Sequence, residues 1–344
     1  MNSGVIRRIL LLSITILITF PDEAQAYELP RCEIIPLPNH QTSFRIDGLE
    51  VTRWNFSQNS RRPFFFPLIG PSGTPLTRLG HPGAPDHDHH KSVWFAHHKV
   101  DGFDFWSDTS GTHIRQEQWL AYQDGQDQAV MVIRLGWYSP EGKRVMQTDL
   151  TAALLAMPHN EFQLELQLAL MPPKKTAPVI LEMTHFGIVA VRVAKSISAH
   201  FGGGRLTNDQ GMTGEADLFG KASSFVDYSG PIAKRTPPSR VITTEGITLF
   251  DHPSNPSFPS KWHVRDDGWM GPSICRDNAI EIRRDSPLTL RYLLHIHRGA
   301  FSLEAARVIA DDFESRPAFE TVKSSNPHHH YDVRRLKTNV EPAS

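Results

Sequence analysis

The chain has 344 residues, 36 Lys and Arg against 37 Asp and Glu, and a formal net charge of −1. This balance excludes the basic surface that a nucleic-acid binder needs. The length suffices for one large core or two smaller ones.

The first residues read as an export signal. Arg7-Arg8 give the positive start, Ile9 to Phe20 an apolar run, and Ala24-Gln25-Ala26 a small-residue cleavage pattern, so residues 1–26 are expected to be removed and Tyr27 to begin the mature chain. The alternative is an uncleaved anchor, although the run falls short of the ~20 residues of a comfortable span. No later segment is apolar enough to cross a bilayer. The expected location is therefore periplasmic or secreted, with no stable membrane insertion after cleavage. Cys32 and Cys275 could pair in an oxidising compartment or stay as two free thiols, and the sequence does not choose.

From there the chain reads as β-structure. Ser43 to Ile46, Asp47-Gly48, and Leu49 to Thr52 make a hairpin signal, because Asp-Gly suits a type I′ turn. Long strands are expected over 129–138 and 144–157. The run 162–168 alternates apolar and polar residues, which predicts a strand with one wet face. Strands with deeper burial are expected over 179–193 and 288–297. Phe201-Gly202-Gly203-Gly204 is the most flexible stretch in mid-chain and the one possible domain split. The clearest helix is 303–313, with Ser302 as its N-cap. The expected fold class is all-β, a large antiparallel β-sandwich with one short C-terminal helix. A single domain over 27–313 is followed by a polar tail, 314–344, expected to fray. Its His328-His329-His330 run reads as a solvated surface.

The chemistry concentrates in Asp86-His87-Asp88-His89-His90-Lys91-Ser92-Val93-Trp94-Phe95-Ala96-His97-His98. Three readings stand open. The histidines could transfer protons, could hold a divalent metal with a carboxylate or a distant histidine, or could bond loop backbone. No fixed zinc spacing is present. Asp104 and Trp106 follow in Asp101-Gly102-Phe103-Asp104-Phe105-Trp106. With Trp94 they offer aromatic faces for the C–H faces of sugars and a carboxylate for hydroxyls, although core packing explains most aromatics equally well. Arg62 could clamp a ligand or cap a loop. Lys221 and Asp227 could form a surface ion pair. Asp251, Asn255, His263 and Arg265 lie in a proline-punctuated stretch that reads as loop, where dense polar side chains suit a site. Arg291, His295 and His297 share one strand face, either solvated or lining a pocket.

Arg62-Pro63-Phe64 with Pro71-Ser72-Gly73, residues 86–97 with 102–106, and residues 220–230, 246–265 and 290–299 together resemble a bacterial family. It carries the label PmoA-like, or methane oxygenase PmoA, and is otherwise a domain of unknown function. The resemblance runs in order over residues 43–300. The label implies a copper-dependent membrane monooxygenase, which a chain with no span beyond its export signal does not support. The label is therefore read as a misnomer. The family looks similar to sugar-processing β-sandwiches of the galactose-mutarotase type. That implies a mutarotase-like supersandwich in which a histidine pair and a carboxylate act on the anomeric centre, in a cleft across a concave sheet.

The expected function is thus an exported carbohydrate-active protein using histidine general acid–base chemistry, of the sugar epimerase, lyase or glycoside hydrolase type. His89, His90, His97, His263 and Asp251 are the candidate catalytic residues. Arg62, Trp94, Asp104, Trp106, Lys221, Asn255, Arg265, Arg291 and His297 are the candidate ligand-binding residues. A histidine near its ordinary pKa of ~6.5 could give or take a proton. No cofactor is required, and a divalent metal is possible. The expected partner is a small carbohydrate, not a nucleic acid. The alternatives are a non-catalytic carbohydrate-binding module and a histidine-ligated metal enzyme.

Overall fold

The computed structural model of the protein describes residues 28–81, 83–173, 177–236 and 239–337. The expected export signal, residues 1–26, lies outside the described residues. Among the described residues no helix is long and apolar enough to cross a membrane.

Two eight-stranded antiparallel sheets face one another. The first runs Cys32–Leu37, Gln41–Ile46, Leu49–Asn55, Phe64–Leu68, Val93–His97, Gly187–Arg192, Trp269–Ser273 and Lys261–Arg265 in spatial order. The second runs Arg205–Asn208, Phe225–Thr236, Ser239–Asp251, Leu288–Arg298, Phe162–Met171, Arg144–Ala156, Gln128–Tyr138 and His113–Gln123. This is the all-β sandwich expected from the strand pattern. Phe44, Trp54, Phe95 and Trp262 of the first sheet pack against Met131, Leu150, Leu166 and Leu294 of the second in one core. The Asp-Gly hairpin forms as predicted, with Asp47 at φ 51° and Gly48 at φ 77°, the positive pair that a type I′ turn requires.

Period two divides every strand between two faces. In Val93–His97, Val93 and Phe95 enter the main core. Trp94 and Ala96 turn to the opposite face, where they join Phe64, Trp106, Ala190 and Trp269 in a second apolar cluster. This outer face of the first sheet is the floor of the site described below.

Four expectations are corrected by the packing. The segment 179–193 is two strands: Val179–Leu181 pairs with Ile280–Ile282, and only Gly187–Arg192 joins the large sheet. The Gly202-Gly204 stretch is packed tightly, because a Cβ on Gly204 would lie 1.6 Å from the Ile197 carbonyl oxygen. The polar face of Phe162–Met171 is not wet, and Glu165 on it is fully buried. Residues 314–337 of the tail are packed, not frayed. After the helix Leu303–Ser315, capped by Ser302, strands Phe319–Lys323 and Tyr331–Arg335 form a hairpin. Gln167 bonds both the N–H and the carbonyl of Phe319, and Arg335 and Arg316 reach Glu165. His328-His329-His330 lies in the hairpin's exposed turn. A four-residue helix, Glu215–Leu218, had no counterpart in the sequence reading. Cys32 and Cys275 are free and buried.

Candidate functional site

A cavity of ≈ 320 Å³ opens on the outer face of the first sheet, lined by Asp86, His87, His89, His90, Trp106, Phe186, Arg192, His263, Arg265, Asp267 and Trp269. Residues as far apart in the chain as Asp86 and Trp269 meet here. Strand register explains half of it. Trp262 and Val264 are in the main core, so His263 and Arg265 must face outward. Arg265 pairs with Trp269, and Trp269 with Arg192, across two ladders.

The histidine loop arrives from the other side. A short 3₁₀ turn, Pro85–His87, compacts it, and the Gly80 N–H donates to the His90 carbonyl at 2.8 Å. Arg62 then staples it down. Its buried guanidinium donates to the carbonyls of His89 and Ser107, both at 3.2 Å, and pairs with Asp108 at 3.1 Å. One cation thus joins the histidine loop to the loop bearing Trp106. Asp104 orders that second loop, its Oδ1 accepting from the N–H groups of Trp106 and Ser107 at 2.7 and 3.1 Å. Arg62, Asp104 and Trp94 hold the wall and floor in place and do not line the cavity itself.

Aromatic rings pack this site closely. The His90 imidazole lies between Trp94, at 5.2 Å and 25°, and Trp269, at 5.4 Å and 27°. His263 sits 4.0 Å from Trp269, and Phe186 4.6 Å from Trp106. Burial among these rings penalises a charged imidazole. It pushes His263 down to about 3, with nearby Arg265 adding to the effect. Burial and then His89 hold His90 far below the usual histidine range. His89 is also lowered, by burial and then by Arg62. At neutral pH these rings are uncharged hydrogen-bonding groups. His263 Nδ1 lies 3.2 Å from the carbonyl oxygen of His185. A carbonyl only accepts, so we assign the proton to Nδ1 and a bare lone pair to Nε2.

Among the described residues, the buried nitrogens around this site without a protein partner include His90 Nδ1, Trp94 Nε1, Trp269 Nε1, Arg192 Nε and Arg62 Nε. A buried donor left unpaired costs about 1–3 kcal/mol, so the fold alone gives no reason to keep them. Arg192 is otherwise held by Asp267, which His81 also reaches at 3.0 Å. Among the described residues, no group of three or more His, Cys, Asp or Glu is arranged to hold a metal ion.

The structure therefore brings together His89, His90, His263, Arg265 and Trp106. It places the other expected residues elsewhere. His97 points into the sandwich core, its Nε2 2.9 Å from the Glu182 carbonyl, and burial pushes it down to about 4. Asp251, Asn255 and Arg291 fasten the proline-rich loop 252–260. The Asn255 amide donates to Asp251 Oδ1 at 2.6 Å and to the Arg291 carbonyl at 2.8 Å, and Ser260 N–H donates to Asp251 Oδ2. His297 pairs with Asp227 at 2.9 Å on the outer face of the second sheet. Burial alone would depress its pKa, but Asp227 outweighs burial and the net shift is upward. Lys221 is exposed. Sequence reasoning missed Phe186, Arg192, Asp267 and Trp269. A signal existed for one of them, since Arg192 is the only charge in the apolar run Gly187–Arg192.

A model for a family of unknown function, DUF6807, matches residues 41–311; its description names no activity. No curated protein matches the chain. Among solved structures, the chain is similar to the GalM/aldose epimerase homologue from C. elegans, at 7% identity and a TM-score of 0.31, over 79% of this chain and 100% of that one.

Proposed function

This chain belongs to the family of unknown function DUF6807, and we propose from its own geometry that the cavity on its first sheet binds a carbohydrate. One observation carries the reading: three imidazoles deprived of charge stand among flat aromatic faces. Indole and phenyl faces pack against the C–H faces of a sugar ring. Neutral imidazole nitrogens both accept from and donate to hydroxyls, and an uncharged polyol does not ask a buried site to hold a counter-ion. Arg265 at the rim offers further donors. In this reading the bare Nε2 of His263 accepts a hydrogen bond from a sugar hydroxyl, and the uncharged N–H of His89 or His90 donates one to a sugar oxygen. The ligand is met outside the cytoplasm, as the segment before Tyr27 leads one to expect.

The low basicity of His263 favours a second reading, binding without turnover, because a general base works best with a pKa near the operating pH. Tryptophan fluorescence and calorimetry against mono- and disaccharides test the binding, and NMR of the bound sugar tests the chemistry. We expect saturable binding, weakened about tenfold or more in Trp106→Ala. Turnover lost in His263→Ala with binding retained supports the enzyme. No turnover in either form leaves the binding module. Failure of every sugar to bind sinks both readings.

A further inference from the structure

The sheet edge that carries His263 continues past the cavity. Lys261, His263 and Arg265 alternate on the outer face of the edge strand, with Trp262 and Val264 turned to the core. The register across the ladder is regular: Arg265 opposite Trp269, His263 opposite Gly271, Lys261 opposite Ser273. Arg265 and Trp269 line the cavity described above. Lys261 and Ser273 line a second one, of ≈ 230 Å³, together with Ser257, Arg276, Asp277 and Asn278. The two cavities thus occupy the two ends of one strip of sheet. At 3.3–3.4 Å per residue the strip is about 13 Å long, longer than a single hexose ring.

One carbonyl joins them. The oxygen of His185 accepts from His263 Nδ1 of the first cavity, and from Ser273 Oγ and Arg276 Nη1 of the second. Between them Phe219 lies under two guanidinium groups, those of Arg265 at 4.7 Å and Arg276 at 4.9 Å. The second cavity contains no aromatic side chain. Five of its eleven lining residues are apolar, and the other six supply hydroxyls, an amide, the Arg276 guanidinium and a Lys261–Asp277 ion pair at 2.9 Å, which are the hydrogen-bonding groups of a subsite.

We infer that the two cavities are successive subsites for one ligand of at least two sugar units, the first unit stacking among the tryptophans and the second bonding beside Lys261 and Asn278. This rests on the carbohydrate reading above. The test is calorimetric titration of the full chain with matched pairs: glucose and cellobiose, xylose and xylobiose, galactose and lactose. For the pair that binds, the disaccharide is expected to bind about tenfold tighter or more than its monosaccharide. In Lys261→Ala/Asn278→Ala that advantage disappears, while the monosaccharide Kd stays within about twofold. Both side chains are outside the first cavity, and a circular dichroism melt verifies the fold. A disaccharide no tighter than its monosaccharide overturns the inference and leaves the first site standing. So does a double variant that weakens both equally. If no sugar of the panel binds, the carbohydrate reading fails and the inference fails with it.

Discussion

The Arg192 guanidinium is fully buried and grips Asp267 with both arms, Nη1 to Oδ1 at 2.6 Å and Nη2 to Oδ2 at 3.2 Å. The partners are not equivalent, since the Asp267 side chain keeps 29% of its exposure. Removing the carboxylate strands a buried cation, which costs about 3–5 kcal/mol. Asp267→Ala should lose stability on that scale in urea unfolding. Arg192→Leu should lose less, because the orphaned carboxylate regains water. Equal losses would contradict this asymmetry.

Asp104 does not line the cavity, yet it fixes the backbone that carries Trp106. Asp104→Ala should therefore weaken sugar binding several-fold with little change in melting temperature. The same loop with its carboxylate restored as Asp104→Glu should recover part of the affinity. An Asp104→Ala protein that binds as wild type would remove Asp104 from the site's support.

Acid should destabilise the fold through its buried histidines. His97 and His252 are held down to about 4 and His263 to about 3, all chiefly by burial. The unfolded chain takes up protons at these positions as pH falls below ~6.5, and the native chain does not. Stability is then lost as pH drops from about 6.5 toward about 4, by on the order of 1 kcal/mol per pH unit for each such histidine. His297 runs the other way, since its pairing with Asp227 stabilises the fold at low pH and that contribution is lost as pH rises through its raised pKa. Urea midpoints at pH 7 and pH 5 measure the balance, and identical midpoints would falsify the dominance of the buried rings. His97→Gln should make the slope shallower.

Glu165 is fully buried, and Arg291, Arg316 and Arg335 all converge on it. These arginines come from a strand, the end of the C-terminal helix and the final hairpin. Glu165→Ala should leave three cations around an empty place and cost about 3–5 kcal/mol. Arg335→Ala keeps two partners and should cost clearly less. Hydrogen exchange in Phe319–Lys323 should rise in both variants. A protected hairpin in Glu165→Ala would show that the carboxylate does not hold it.

The chain's own order of residues decided a good deal. Alternation gave the long strands, Asp47-Gly48 the hairpin, and Ser302 the helix start, because these are local preferences of backbone and side chain. The crowding of His87, His89 and His90 singles out one segment, and of the residues expected beside it the structure brings Trp106, His263 and Arg265 to the same cavity but not His97 or Asp251. Only the tertiary structure decided the rest. Alternation says that two faces exist but not which one is covered, so the polar side of Phe162–Met171 reads as wet until a hairpin that begins 152 residues beyond Gln167 closes over it. Arg291 reads as a ligand contact for the same reason, and Asn255 because polar residues crowd its loop, although the partners of both are other parts of the fold. The charge on a histidine is likewise no property of its place in the sequence. It depends on how much water the surrounding indoles exclude, and that is settled only when distant strands pack.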